Sequence, residues 1–245
     1  MDDLALVEVL FTASAAAHAA LDELDDWGPN GLRAGQYRLD VAADEAAIAV
    51  LGKAGMSVLS EESGRTDGPL PLLAVLDPID GSTNAHRGIP MYSTSICVFD
   101  ADGPRVGAVV NHPLGQRFHA IRGAGAWRDG AAIAPSKCDV LSESIVGLSG
   151  PVASGLASWQ HRTFGCASLE FCAVAEGSLD AYVLGKGFSL RPWDYLAGLL
   201  ICAEAGAVIS ELDGRDPWIR FDEPRRPIAA STARLLQAIL PAASG

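Results

Sequence analysis

The sequence predicts an α+β protein. A helix-plus-antiparallel-sheet half runs to about residue 140, a smaller α/β half covers 141–245, and a site lies between them. Three observations carry this. Helical periodicity marks the first fifty residues, short apolar runs separated by Gly- and Asp-rich turns follow, and helix–strand alternation resumes after Pro135. At 245 residues with 49% hydrophobic and 20% charged content, the chain has ample material for a core.

Leu4, Val7, Phe11, Ala15, His18 and Leu21 recur at spacings of three and four, which predicts an amphipathic helix with His18 as a half-buried packing residue. The helix stops in the turn formers Asp25–Gly31. A second helix starts near Asp40 or Ala42 and runs to about Ala54, with Gly55 as its stop and Asp40 as an exposed cap. Met56–Leu59 and Leu72–Leu76 read as strands ending on acidic residues, followed by strands at Tyr92–Phe99, Arg105–Asn111 and Arg117–Ile121. Gly123-Ala124-Gly125 lacks a third glycine at dinucleotide spacing and reads as a hairpin corner. Further on, Leu169–Ala175 and Tyr195–Ala205 are helical, Asp180–Leu184 and Ala207–Ser210 are strands, and Thr232–Leu240 is a short amphipathic helix.

The net charge of −12 argues against nucleic-acid or anionic-membrane partners, which need a basic surface. Residues 1–80 hold 15 of the 30 carboxylates against only Arg33, Arg38, Lys53 and Arg65, so any convergence of those acids calls for a cation. The five scattered cysteines read as reduced thiols, Met1-Asp2-Asp3 has no signal-peptide character, and no uninterrupted apolar run approaches a membrane span. Together these predict a cytoplasmic protein.

Glu61, Asp77 and Asp80 fall at the ends of predicted strands, and Asp194 opens a predicted helix. Strand ends are where open sheets gather ligands, and oxygen donors with little histidine suit Mg²⁺ over Zn²⁺. In Asp77-Pro78-Ile79-Asp80-Gly81-Ser82-Thr83-Asn84, Pro78 fixes the backbone so that Asp77 and Asp80 can approach one cation. Gly81 allows close approach of a ligand, and Ser82, Thr83 and Asn84 favour a helix start whose free N–H groups bind anions. A calcium loop is excluded by Ile79 and Gly88, which stand where an EF-hand needs an oxygen ligand and a glutamate.

The string Asp77–Asn84, the upstream Ser60-Glu61-Glu62-Ser63 and the downstream Trp193-Asp194-Tyr195-Leu196-Ala197-Gly198 resemble, in order, three signatures of the inositol monophosphatase family. The resemblance covers roughly residues 40–210 and implies a layered αβαβα sandwich. It implies two or three Mg²⁺ ions, one held by Glu61, Asp77 and the Ile79 carbonyl and another by Asp77, Asp80 and Asp194. Phosphate would rest on the Gly81 and Ser82 amides with Thr83 nearby. Asp44 and the Ser82 hydroxyl would help deprotonate the attacking water, with Glu61 among the catalytic groups. Gly165, Ala167, Lys186 and Arg191 are carried as substrate-side residues, Trp193 as a packing residue that orients Asp194, and a homodimer as the family's common state.

Departures from the family pattern bear on substrate. Ser82 replaces the usual Thr, Asp40 and Asp44 are four apart instead of six, Ala85 replaces a large aromatic, and Leu184 replaces a glutamate that grips sugar hydroxyls in inositol phosphatases. The longer Gly185–Pro192 loop brings Lys186 and Arg191. The expected activity is Mg²⁺-dependent hydrolysis of a small polyol or sugar phosphate monoester. The alternatives are a bisphosphate substrate (fructose 1,6-bisphosphate or adenosine 3′,5′-bisphosphate) gripped by those two cations, or a non-catalytic scaffold of the same fold.

Overall fold

The computed structural model describes residues 1–31, 36–151, 156–218, 221 and 223–243. Two helices open the chain, α1 (Asp3–Asp22) and α2 (Arg38–Lys53). The buried face of α1 is Leu6, Val7, Leu10, Ala13, Ala17 and Leu21. That face is rotated from the predicted one: Leu4 is 69% exposed and Ala15 is exposed, because an alanine-rich helix marks its apolar side only weakly. By length and composition α1 is apolar enough to cross a membrane, yet its Leu6–Leu21 face packs in one core with α2 and the neighbouring sheet. His18 is half-buried as predicted, its ring stacked on His112 at 4.6 Å. Asp40 caps α2 by accepting from the Tyr37 N–H at 2.8 Å, but it is buried, not exposed.

Eight strands then form one sheet in the order β2-β1-β3-β4-β5-β6-β7-β8. They are β1 (Ser57–Ser60), β2 (Gly64–Thr66), β3 (Leu73–Asp80), β4 (Ser93–Asp100), β5 (Gly103–Asn111), β6 (Gln116–Ile121), β7 (Gly125–Arg128) and β8 (Ala131–Ala132), with the short helix α3 (Ser82–His86) after β3. All neighbours are antiparallel except β1 and β3, which run parallel. Gly123–Gly125 makes the corner between β6 and β7. The parallel β1–β3 pair puts both C-terminal ends, and the acids there, on one edge.

A second sheet, ordered β10-β9-β11-β13-β12, uses β9 (Ile145–Ser149), β10 (Gln160–Arg162), β11 (Ala181–Leu184), β12 (Val208–Glu211) and β13 (Pro227–Ala230). Helices α4 (Ala167–Ala175) and α5 (Pro192–Ala205) lie between the sheets, in one core with Val75, Cys97 and Val109 of the first and Tyr182, Leu184 and Ala229 of the second. The last helix, α6 (Ala233–Ala243), covers the other face of the second sheet through Leu235, Leu236 and Ile239. The layers are therefore helix, sheet, helix, sheet, helix, and the switch between sheets falls after β8.

Close packing of the middle layer shows at Gly198 in α5. A Cβ there would stand 2.7 Å from the Phe171 Cβ and 3.1 Å from the Ser168 carbonyl. Only glycine lets α4 and α5 approach this closely.

Candidate active site

Strand β3 continues through both Asp77 and Asp80, beyond its predicted end at Leu76. Its register against β4 shifts between them: Asp77 opposes Ser95 and Asp80 opposes Ser93, so the Pro78–Ile79 step bulges. Proline is tolerated there because a bulge releases a ladder N–H. The Thr94 hydroxyl donates to the Pro78 carbonyl at 2.7 Å and pins the bulge.

Gly81 then turns the chain at φ 85° into α3. The close approach it allows is by backbone: a Cβ there would lie 2.8 Å from the Met91 carbonyl and 3.2 Å from the Gly165 carbonyl. The first-turn N–H groups of α3 have no partner within the helix.

Asp194 sits in the first turn of α5, where one carboxylate oxygen accepts from the Arg191 N–H at 2.8 Å. Pro192 opens that turn, and the Ser95 hydroxyl donates to the Trp193 carbonyl at 3.1 Å, tying α5 to β4. Trp193 packs on the core between the sheets, as predicted. Glu61 follows β1, its N–H bonded to the Leu76 carbonyl at 3.1 Å. Three elements thus bring one oxygen each from Glu61, Asp77 and Asp194 within 4.8 Å of one another.

The Oδ1 atom of Asp77 is buried without a hydrogen-bond partner. Burial first, then the charges of Glu61, Asp80 and Asp194, push the Asp77 carboxyl well above the usual carboxylate range. Asp194 is raised for the same reasons, burial leading. An orphaned oxygen among crowded acids is the setting a cation relieves, and an all-oxygen donor set fits a hard divalent ion.

Asp80 is held differently. Its Oδ2 accepts from the Ser168 N–H at 2.7 Å, the Ser168 hydroxyl at 2.6 Å and the Cys166 thiol at 3.3 Å. Burial raises its pKa, and the Ser168 bonds oppose the rise.

These groups open into a cavity of about 400 Å³. Its wall holds the acids Glu61, Asp77, Asp80 and Asp194 with Ile79, Gly81 and Ser82, and also Ser149, Gly150, Thr163, Gly165, Cys166, Ala167, Phe188 and Leu190. Other predicted residues stand outside that wall. Asp44 is buried in α2, accepts from the Ser60 hydroxyl, and has its pKa raised chiefly by burial. Thr83 is exposed, with its hydroxyl 3.1 Å from that of Tyr37. Lys186 and Arg191 are exposed and do not line the cavity. Nor do Ala85 and Leu184, which are buried in the two cores.

Sequence reasoning missed Phe188, whose ring lies over Gly150 so closely that a Cβ there would be 2.4 Å from it. It also missed Asn84 as a staple: its amide donates to the Met91 carbonyl at 2.8 Å and the Phe164 carbonyl at 2.7 Å. An asparagine inside the motif was a signal for that second role.

An acidic oxygen cluster beside a helix start, in a layered fold of two sheets with helices between, is the kind of site a metal-assisted hydrolase uses. The inositol monophosphatase family profile matches residues 36–244, and the chain belongs to that family, whose members are phosphoric ester hydrolases. It is 33% identical to a Pyrococcus furiosus protein named fructose-1,6-bisphosphatase, across 82% of this chain and 81% of that one. An Archaeoglobus fulgidus protein named fructose-1,6-bisphosphatase/inositol-1-monophosphatase is 36% identical, across 71% and 69%. A solved Pyrococcus horikoshii structure, described as having similarities to inositol-1 monophosphatase, superposes with a TM-score of 0.82 at 27% identity, across 97% and 96%.

Proposed function

We propose that this chain hydrolyses the phosphate monoester of a small polyol or sugar with Mg²⁺ as its cofactor. The observation that carries the reading is the convergence of Glu61, Asp77 and Asp194 oxygens within 4.8 Å at the mouth of α3. In this reading Glu61, Asp77 and the Ile79 carbonyl hold one ion, and Asp77, Asp80 and Asp194 hold a second. Bound Mg²⁺ supplies charge neutralisation for the phosphoryl oxygens and acidifies water at neutral pH.

The chain's own groups do the rest. Gly81 and Ser82 present N–H donors to the phosphate, and the Ser82 hydroxyl and Asp44 carry the proton away from the attacking water. Burial raises the Asp44 carboxyl above the ordinary aspartate range, the direction that favours a proton acceptor. The alcohol part of the ester then lies against Phe188 and Leu190, with Ser149 and Thr163 offering hydroxyls. A bisphosphate substrate is the second reading, favoured by the name of the 33%-identical Pyrococcus furiosus relative. We further propose a cytoplasmic protein acting on small molecules rather than nucleic acid or membrane, which its acidity and five free thiols support, and, by family resemblance alone, a homodimer.

The test is a phosphate-release screen over inositol, sugar, sugar-bisphosphate and nucleotide phosphates, with Mg²⁺ and with chelator. Release from a monoester only when Mg²⁺ is present is the expected result. Turnover unaffected by chelation, or none on any ester, would overturn it.

A further inference from the structure

Helix α4 is buried along all nine residues, and Glu170 is its one charged side chain, fully inaccessible. Taking a carboxyl into such surroundings is costly unless it satisfies a polar group that would otherwise be stranded. Here that group is the Phe164 N–H, which donates to Glu170 Oε1 at 2.9 Å. The other oxygen, Oε2, lies 3.5 Å from the Ser149 hydroxyl, itself the acceptor of a 2.7 Å bond from the Tyr182 hydroxyl.

The same stretch of backbone is gripped from the opposite side. The Asn84 amide in α3 donates to the Phe164 carbonyl at 2.7 Å and, more loosely, to the Gly165 carbonyl at 3.3 Å. Phe164 is therefore clamped at its N–H by α4 and at its C=O by α3. Immediately after it, Gly165 turns at φ 71°, and Cys166 and Ser168 deliver their three donors to one oxygen of Asp80. The position of this turn decides which way the Asp80 carboxylate faces.

We propose that Glu170 is a positioning residue: by anchoring Phe164 it fixes the Gly165–Ser168 turn that orients Asp80 for its cation. The inference rests on reading Asp80 as a metal ligand. What Glu170 contributes is an oxygen at a set place, not a charge, so glutamine should replace it and an apolar residue of similar size should not.

The experiment compares Glu170→Gln and Glu170→Leu in the full chain. Mg²⁺ affinity is measured by calorimetry, and amide hydrogen exchange is followed over 164–168. Glu170→Leu is expected to weaken Mg²⁺ binding by ~10-fold or more, the scale of lost outer-shell support, and to speed exchange at Phe164 and Ser168 comparably. Glu170→Gln should stay within about 3-fold of the parent on both readouts, well short of the usual outer-shell loss. Leucine matching the parent, or glutamine failing as badly as leucine, would overturn the proposal. If Glu170→Leu does not fold, Asn84→Ala releases the same peptide from the other side, and parent-like Mg²⁺ affinity there despite faster exchange at Phe164 would overturn the claim that this turn orients Asp80. Should the parent protein bind no Mg²⁺, the phosphatase reading fails, while the exchange measurement still decides whether Glu170 holds the turn.

Discussion

Asp77→Asn should change stability in opposite directions with and without metal. Oxygens of Asp77, Glu61 and Asp194 lie within 4.8 Å of one another, and Asp77 is nearly inaccessible to solvent. At an effective dielectric constant of about 20, two unit charges at that separation repel by roughly 3.5 kcal/mol. Burial first, and then this repulsion, hold Asp77 and Asp194 above the usual range, so that retained protons relieve part of the repulsion. A raised carboxyl contributes stability that is complete below its unfolded pKa and lost as pH rises through the folded one. In chelator, the parent protein should therefore weaken as pH rises above the ordinary aspartate range, and Asp77→Asn should weaken less.

Removing the charge at residue 77 should stabilise the metal-free protein by about 1–2 kcal/mol near pH 7.5, the part of the repulsion that protonation leaves in place. That is a rise of ~2–8 °C in midpoint for a chain of this size. Mg²⁺ at a hundred times its dissociation constant should stabilise the parent by about 2.7 kcal/mol, and the variant by almost nothing. Thermal melts in chelator and in Mg²⁺ give all four values. A variant that melts below the parent in chelator, or gains as much from Mg²⁺, would show that these acids are not a cation site.

The remaining expectations are narrower. Asp44→Asn should lower kcat ~100-fold or more while leaving Mg²⁺ affinity near the parent's, as loss of a proton acceptor does; steady-state kinetics with a metal titration decide it. Phe188→Ala should raise KM several-fold with little change in kcat, since its ring is the one aromatic side chain in the cavity wall among the described residues. Gly198→Ala should cost about 1–3 kcal/mol by wedging a Cβ between α5 and Phe171, read as a lower urea midpoint at unchanged slope. Burial lifts the Glu170 carboxyl to about 8, so its stabilising effect is present below the ordinary glutamate range and is lost as pH rises through about 8. Parent stability should fall along that range by at most ~1.4 kcal/mol per pH unit from this group, and Glu170→Gln should lack that component in pH-dependent urea melts.

Where short-range chemistry sets a feature, it was legible. The acids at 61, 77, 80 and 194 and the helix start at Ser82 are local signals, and the fold brings them to one cavity, with Asp80 held by its own turn, whereas the strand's continuation through a bulge at Pro78–Ile79 was not read. The alternation of helices and strands was legible for the same reason, because burial imposes its period on adjacent residues. Features made by tertiary packing were not. The inward face of α1 was misplaced because alanines at both buried and exposed positions blur the apolar stripe. Gly81 is required by the Met91 and Gly165 carbonyls, which come from chain segments ten and eighty-four residues away. Asp40 looked exposed because helix caps commonly are, but tertiary packing buries it. Glu170 gave no signal at all, since one carboxylate in an apolar helix reads as its solvent-facing position.

The acids of the cavity wall come from the end of β1 (Glu61), from β3 (Asp77 and Asp80) and from α5 (Asp194). The wall also holds Ser149, Gly150, Thr163, Phe188 and Leu190, all from the chain after residue 148. Among the described residues no cation lies in the cavity wall, and Leu184 and Ala85, the two departures on which the sequence comparison with the family turned, are buried in the cores. A leaving group there meets one aromatic face and two hydroxyls. That surface suits the ring of a polyol or sugar, whose C–H face packs on an aromatic and whose hydroxyls need partners, better than a second phosphate, which would need a counter-charge in the wall. Changes to Phe188 should therefore move substrate ranking, and changes to Asp77 should abolish turnover on every ester alike.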